Sequence, residues 1–243
     1  MSVKIGSARI DENGKAHGGK AGDQTGKEVS TQNWYKHSKG WRVFRPKSSI
    51  SAELIANDMQ AACDNKHIGY DQYERNTLYK EAEKVGFDCA LVTTNCETDC
   101  SALVRVCLAY AGIRVDSFRT TNEAKIILNT GLFDEMKGVK YTDSSDYLKR
   151  GDILVTKTQG HTVIVLNNGP KAEEDFPSKK GTVIVTGNTV WIRKGPSTDF
   201  IKLGIARKND KFLFANEISA DGWYRIYYGD DYAWISGKYS KLI

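Results

Sequence analysis

The strongest hydrophobic pattern in the chain covers residues 102–111, in which apolar residues recur at helical spacing. The apolar members of this stripe are Leu103, Val104, Cys107, Leu108 and Ala111. Recurrence every three or four residues predicts a helix packed on a core, and Gly112 supplies a stop signal. A polar run ends at Ser101, so the first turn is predicted to contain Asp99 or Cys100.

Weaker periodic patterns predict the remaining elements of the first two thirds of the chain. Helices are predicted at 52–63, 72–85 and 120–128, the last opened by a capping box, and strands at 3–5, 41–44, 150–155 and 160–167. The glycine-rich and polar composition of residues 1–50 predicts a loop-dominated arm. Helices and strands that alternate irregularly predict an α+β domain.

The pattern changes after residue 181, where short alternating strands are separated by turn residues. These strands are predicted at 183–185, 190–192, 212–214, 223–228 and 232–235. They indicate a small all-β barrel. Prolines and charged residues predict a linker over 169–180, so we expect a first domain over 1–168 and a second over 181–243.

Length and composition narrow the function classes. A chain of 243 residues can hold two domains with a substantial core. No apolar run approaches the roughly 18 residues of a membrane span, and the start of the chain lacks the apolar core of a signal peptide. We therefore expect synthesis in a cytoplasm and no membrane insertion. The net charge of +5 is spread along the chain, which disfavours nucleic acid and suits an anionic surface such as a cell wall.

Five cysteines bear on disulfides, metals and catalysis, at positions 63, 89, 96, 100 and 107. An odd number leaves at least one thiol free. The gaps between the last four do not match the paired knuckles of structural zinc sites. We expect no metal and no other cofactor, with zinc retained as a less favoured alternative. Cys63 and Cys107 lie on predicted helix faces and are expected to be core residues.

Cys100 is the candidate nucleophile. The free N–H groups and positive dipole end of a helix favour a thiolate and predict a lowered pKa for this thiol. Of the four histidines, only His161 heads an apolar strand. A nucleophile at a helix start and a histidine at a strand start are the arrangement of papain-like cysteine hydrolases. The alternative for Cys100 is a buried core residue.

Short motifs carry a resemblance to a known group of enzymes. They are Asp99-Cys100-Ser101 before an apolar helix, Arg150-Gly151-Asp152-Ile153, and Gly160-His161. Their order and spacing resemble the NlpC-type and CHAP-type peptidoglycan hydrolases, particularly the amidase domains of phage endolysins. The resemblance covers residues 1–168 and implies a papain-like fold that acts on bacterial peptidoglycan. It also implies a substrate site lined by Tyr70, Gln72, Asp99 and Ser101. The usual tryptophan and paired glycines before the Asp-Cys-Ser motif are replaced by residues 95–98.

These residues also predict a reaction mechanism. His161 is expected to take the proton of Cys100 and then to protonate the leaving amine as the acyl-enzyme forms. Asn167, at the end of the same predicted strand, is expected to orient the imidazole, with Asn168 and Glu173 as alternatives. The backbone N–H of Cys100 is expected to bind the oxyanion.

The C-terminal segment resembles bacterial SH3-type domains, which bind the cell wall in such enzymes. The resemblance is carried by Val185 to Asn188, Trp191 to Ser197, Gly222 to Tyr224 and Ala233 to Ile235. Aromatic residues are denser here than a small core needs. Candidate wall contacts are Trp191, Tyr227, Tyr228 and Tyr232.

The sequence therefore predicts an endolysin-like enzyme of phage or prophage type, a cysteine amidohydrolase joined to a wall-binding module. It would act at the cell wall when released at lysis. The resemblance to amidase domains favours an N-acetylmuramoyl-L-alanine amidase over a stem-peptide endopeptidase. Two alternatives belong to other classes, namely a non-catalytic wall-binding protein and a zinc-dependent hydrolase.

Overall fold

A computed structural model describes residues 2–172, 181–229 and 231–243. The chain divides into two compact units, with the division between Glu174 and Asp175. Most of the predicted linker lies outside the described residues. Its described part, 169–172, packs on the first unit: the N–H of Gly169 donates to the carbonyl of Leu148, and Ala172 is buried.

The first unit is built on an antiparallel sheet. Its strands in chain order are β1 (Lys4–Ala8), β2 (Val29–Asn33), β3 (Trp41–Pro46), β4 (Ile68–Tyr70), β5 (Cys96–Thr98), β6 (Phe133–Met136), β7 (Ile153–Thr156) and β8 (Thr162–Val165). Six of them form one sheet in the order β2-β1-β8-β7-β3-β6, and β4 pairs with β5 in parallel. The predicted strands around residues 3–5, 41–44, 150–155 and 160–167 are thereby confirmed.

The N-terminal residues are not a loop-dominated arm, because β1 lies inside the sheet between β2 and β8. The predicted strand at 3–5 continues to Ala8, and the small residues Gly6 and Ser7 conceal this continuation from a hydrophobic pattern. Packing explains Gly6: a Cβ at this position would lie 2.6 Å from the side chain of Met59. The glycine lets a helix pack closely on the strand.

Five α-helices occur among the described residues of the first unit: α1 (Ser49–Asp64), α2 (Thr77–Glu83), α3 (Cys100–Tyr110), α4 (Glu123–Asn129) and α5 (Val139–Thr142). α1 and α3 share a core with one sheet face, through Met59, Leu103 and Ile164. Trp41, Leu148 and Leu154 belong to a second core on the other face. Hydrophobic burial on both faces is the main term that stabilises the unit.

Two helices start later than predicted. α2 begins at Thr77, five residues after the predicted start, because the carboxylate of Asp71 accepts the N–H groups of Tyr73 and Glu74 and holds a turn there. α4 begins at Glu123, and its N-cap residue Asn122 makes no side-chain capping bond. The predicted capping box is therefore absent.

The Gly-Asp motif before β7 has a structural role. Asp152 is fully buried and accepts two hydrogen bonds from Arg45, of 2.8 and 2.7 Å. This pair ties the start of β7 to β3. Gly151 has a φ of +86°, and a Cβ there would lie 2.5 Å from the carbonyl oxygen of Ala52. Only glycine fits this position.

The second unit is all-β, as predicted. Its strands are β9 (Thr182–Val185), β10 (Thr189–Arg193), β11 (Lys202–Arg207), β12 (Lys211–Ile218), β13 (Trp223–Tyr228), β14 (Asp231–Ser236) and β15 (Ser240–Leu242). They form one sheet in the order β11-β10-β14-β13-β12-β9-β15, around a core that includes Val185, Ile192, Ile226 and Ile235. The sequence pattern missed β11 and β15. β11 is an edge strand with largely exposed residues, so alternation is weak there.

The whole chain therefore combines a mixed α+β unit with a C-terminal all-β unit. None of the helices in the described ranges has the length and hydropathy needed to cross a lipid bilayer.

Candidate active site

Cys100 is the first residue of α3, as the sequence predicts. Asp99 precedes it as the N-cap, and its carboxylate accepts the N–H of Ala102 at 2.7 Å. This capping bond satisfies a donor that the first helical turn leaves free. β5 ends at Thr98, so a strand and a capped helix fix the main chain on both sides of the cysteine. The thiol residue itself is 8% exposed.

A buried ionic network holds this helix start. The guanidinium of Arg75 donates to both carboxylate oxygens of Asp99, and its Nη2 also donates to Ser101 Oγ at 2.8 Å. The carbonyl of Phe118 accepts a further bond of 2.7 Å from Nη2. A bidentate pair of this kind fixes orientation as well as distance. Asp99 and Ser101 are buried and already partnered, so they hold Cys100 in place; their predicted contact with substrate stays a prediction.

The pKa of the Cys100 thiol is raised, contrary to the lowering predicted from the helix terminus. Burial is the largest cause, and the charges of Asp99 and Glu123 act in the same direction. The backbone N–H groups of Thr162 and Ser101 act on the sulfur in the opposite direction and favour the thiolate. The resting thiol is therefore protonated at neutral pH.

His161 lies immediately before β8, and the next residue, Thr162, is the one whose N–H acts on the Cys100 sulfur. The start of β8 therefore lies next to the start of α3, as the predicted reaction between Cys100 and His161 requires. The N–H of His161 donates to Thr156 Oγ1 at 3.0 Å. Burial lowers the pKa of His161 to about 4, with smaller contributions from His37 and Arg9. The imidazole is neutral at neutral pH and can accept a proton.

Asn167 does not orient this imidazole. Its Oδ1 accepts the N–H of Lys4 at 2.6 Å, and its Nδ2 donates to the carbonyl of Ser2. These contacts lie at the opposite end of β8 from His161. An extended chain advances about 3.3 Å per residue, so six residues separate the two side chains by roughly 15–20 Å. Asn168 lies at the same end, where its Oδ1 accepts the N–H of Arg150, and Glu173 is outside the described residues.

Tyr70 and Gln72 do lie in the neighbourhood of Cys100. Tyr70 is buried, and burial raises its pKa to about 12, with the charge of Cys100 contributing. Gln72 Nε2 donates to the Tyr70 hydroxyl at 3.0 Å. The pKa of Tyr35 is also raised, by burial and by the charge of Cys100. Two phenols therefore lie within electrostatic reach of the thiol.

The sequence did not identify Glu123 and Thr162 as residues of the site. The capping-box pattern assigned Glu123 to a helix end, but its side chain is fully buried and accepts a hydrogen bond from Thr162 Oγ1 at 2.7 Å. No local pattern marks this contact, because the partners are 39 residues apart.

Glu97 lies within electrostatic reach of four other carboxylates of the first unit, Asp11, Glu12, Glu28 and Asp71, and none of the five forms an ion pair with a described residue. Glu97 is 4% exposed, and neither carboxylate oxygen has a hydrogen-bond partner. Across the described ranges, no group of three or more His, Cys, Asp or Glu side chains is arranged to hold a metal ion. The five cysteines are free thiols.

The predicted wall contacts of the second unit fall on two sides of its sheet. Trp191 is 39% exposed, with the Lys202 ammonium 4.3 Å from the ring centre. Tyr227 and Tyr232 lie opposite each other on β13 and β14, with ring centres 5.0 Å apart. Tyr228 packs against the hydrophobic core. Tyr228 is only partly buried, and its predicted contact with the wall stays a prediction.

The first unit is an α+β domain with a capped helix-start cysteine beside a strand-start histidine. The endolysin-like domain family matches residues 5–172, which is most of this chain. The protein belongs to the endolysin-like domain family. No curated protein is significantly similar to it. Membership indicates a phage-type cell-wall lytic function, with peptidoglycan as the substrate class.

Proposed function

We propose that the protein is a cysteine-dependent peptidoglycan amidohydrolase of the papain-like, NlpC or CHAP type. The observation that supports this best is the position of Cys100, at the capped start of α3, with the N–H of Thr162 acting on its sulfur and His161 next along the chain. A thiol, a neutral imidazole and a backbone N–H at a helix start are groups that acyl transfer uses.

In the proposed reaction, both groups start neutral. The imidazole of His161 takes the thiol proton as the sulfur attacks the amide carbon, and the carbonyl π electrons move to oxygen. The backbone N–H of Cys100 stabilises this oxyanion. Collapse breaks the C–N bond, and the imidazolium protonates the amine that leaves. Water then hydrolyses the thioester and regenerates the thiol.

The orientation of His161 needs a source other than Asn167. Its main chain is held to Thr156 on both sides, because the N–H of Thr156 also donates to the carbonyl of His161 at 3.0 Å. Its ring centre lies 6.5 Å from that of the buried Trp41. We infer that this packing and the paired strand ends hold the imidazole in place.

The second unit is proposed to be an SH3-type module that binds the wall through Trp191, Tyr227 and Tyr232. These residues lie outside the matched family segment. Trp191 is exposed beside the Lys202 ammonium, and the Arg225 guanidinium lies 4.1 Å from the ring centre of the half-buried Tyr232. Aromatic rings with neighbouring cations suit a ligand that has both apolar and anionic groups. Tethering would raise the local concentration of the enzyme at the wall without changing its active site.

The bond cleaved is proposed to be the amide between muramic acid and L-alanine, and mass spectrometry of products from purified peptidoglycan tests this. An amidase releases peptides with a free L-alanine N-terminus and leaves bare glycan chains. Muropeptides that keep their sugars but lose part of the stem would indicate an endopeptidase that uses the same residues. Loss of activity with a chelator, but not with iodoacetamide, would instead favour a zinc-dependent hydrolase.

A further inference from the structure

A buried hydrogen bond next to Cys100 has no place in the reaction described so far. Thr162 Oγ1 donates to Glu123 Oε1 at 2.7 Å, and both residues are fully buried. Glu123 Oε2 has no hydrogen-bond partner. A buried carboxyl group with one neutral partner is costly for stability, so its presence at this point calls for a functional reason.

Thr162 links this carboxyl group to the thiol. It is the first residue of β8 and pairs with Val155 of β7. Its N–H acts on the Cys100 sulfur, while its hydroxyl is held by Glu123. The Thr162 side chain therefore hydrogen-bonds to α4, while its main-chain N–H faces the start of α3. His161 precedes it directly, so the same anchor also restrains the histidine.

We propose that Glu123 is a positioning residue for Cys100, which acts by holding Thr162 so that the Thr162 N–H faces the sulfur. This role, which rests on the proposed function of Cys100, explains why a carboxyl group is retained in the core of the domain.

The charges around Glu123 define what each variant changes. Burial raises the pKa of Glu123 to about 8; the Thr162 hydrogen bond lowers it, the charge of Asp99 raises it, and that of Arg75 lowers it. The group is therefore largely neutral at neutral pH. In its ionised form it would oppose a thiolate at Cys100. Glu123→Gln keeps an acceptor oxygen for Thr162 and removes this charge, whereas Glu123→Ala removes both.

The test measures the thiol directly, by site-resolved mass spectrometry of Cys100 alkylation with iodoacetamide as a function of pH. Thr162→Val is expected to raise the pH at which Cys100 alkylation is half-maximal (the midpoint) by about one unit, since the N–H is no longer held at the sulfur. It is also expected to slow wall lysis by about tenfold. Thr162→Ser keeps the hydroxyl and is expected to stay within about threefold of the wild-type rate.

Variants of Glu123, alone and combined with Thr162→Val, form a double-mutant cycle. Glu123→Ala is expected to have a higher midpoint than Glu123→Gln, which also lacks the charge, and adding Thr162→Val to Glu123→Ala is expected to cause no further rise, because the two residues act through one bond. Glu123→Gln is expected to keep or lower the midpoint. A wild-type midpoint in Thr162→Val, or effects that multiply in the double variant, would overturn the assignment.

Failure of the proposed function gives a different result. Alkylation needs no peptidoglycan, so it reports on the Glu123–Thr162 contact even if Cys100 is not the nucleophile. In that case a lytic Cys100→Ala variant would refute the function while the midpoints still test the contact. If Thr162→Val or Glu123→Ala fails to fold, Thr162→Ser and Glu123→Gln still decide, because a raised midpoint in Glu123→Gln contradicts the role.

Discussion

Replacing Glu97 by glutamine is expected to stabilise the first unit at alkaline pH and to leave its stability unchanged in acid. Glu97 lies on β5 and faces Glu28, Asp71, Glu12 and Asp11. It is 4% exposed, and its two oxygens have no hydrogen-bond partner. Glutamine keeps the shape of the side chain and removes the charge.

The magnitude follows from the pKa of Glu97, which burial and then the four neighbouring carboxylates raise from 4.5 to about 8. Between these two pH values the folded protein binds more protons than the unfolded chain, so the free energy of unfolding falls as pH rises. At about 1.4 kcal/mol per pH unit the upper limit is about 5 kcal/mol. We expect about 2 kcal/mol, because a neighbouring carboxylate can take up the proton instead.

Urea unfolding followed by far-ultraviolet circular dichroism measures this difference at about pH 5 and about pH 9. This signal is dominated by helices, and all α-helices in the described ranges belong to the first unit. Glu83→Gln, an exposed position in α2, is the matched control. Equal urea midpoints for wild type and Glu97→Gln at the higher pH would refute the reasoning. An equal gain at both pH values would show that charge is not the cause.

Three further outcomes are expected. Asp152→Ala should lower the free energy of unfolding by about 3–5 kcal/mol, because it leaves the Arg45 guanidinium without its buried partner; an unchanged urea midpoint would contradict the role of the Gly-Asp motif. Because burial lowers the pKa of His161 to about 4, the acid limb of the kcat/KM profile should lie below the ordinary histidine value of about 6.5; a limb at or above that value would exclude His161 as the neutral base. A fragment ending at Ala172 should cleave soluble muropeptides and lose activity on intact walls, while residues 181–243 should sediment with purified walls; a C-terminal fragment that stays in the supernatant would refute wall binding.

Hydrophobic spacing was sufficient for the elements that carry most of the core. α1, α3, β7 and β8 each bury a continuous apolar face, so their periodicity is visible along the chain. β2 is mostly polar, with only Val29 fully buried, and no such pattern marks it. Its place in the sheet depends on pairing with β1, which local sequence does not encode.

Site residues could be predicted where a local sequence signal marks them. They could not be predicted where their position depends on contacts between residues far apart in the chain. A helix start after Asp99 is a local signal, which placed Cys100 correctly. The bond between Arg75 and Asp99 joins residues 24 positions apart, and no spacing rule connects them. Asn167 was assigned because it follows His161 on one strand, but an extended strand carries its two ends apart.

The role of Cys100 is tested most directly by the initial rate at which wild type, Cys100→Ala and Cys63→Ala release soluble fragments from labelled peptidoglycan. Cys63 is a half-buried thiol on α1 and serves as the matched control. Loss of the nucleophile should reduce the rate by at least about a thousandfold, while Cys63→Ala should stay within about threefold of wild type. A folded Cys100→Ala variant that releases fragments at a rate close to wild type would contradict a cysteine-dependent mechanism.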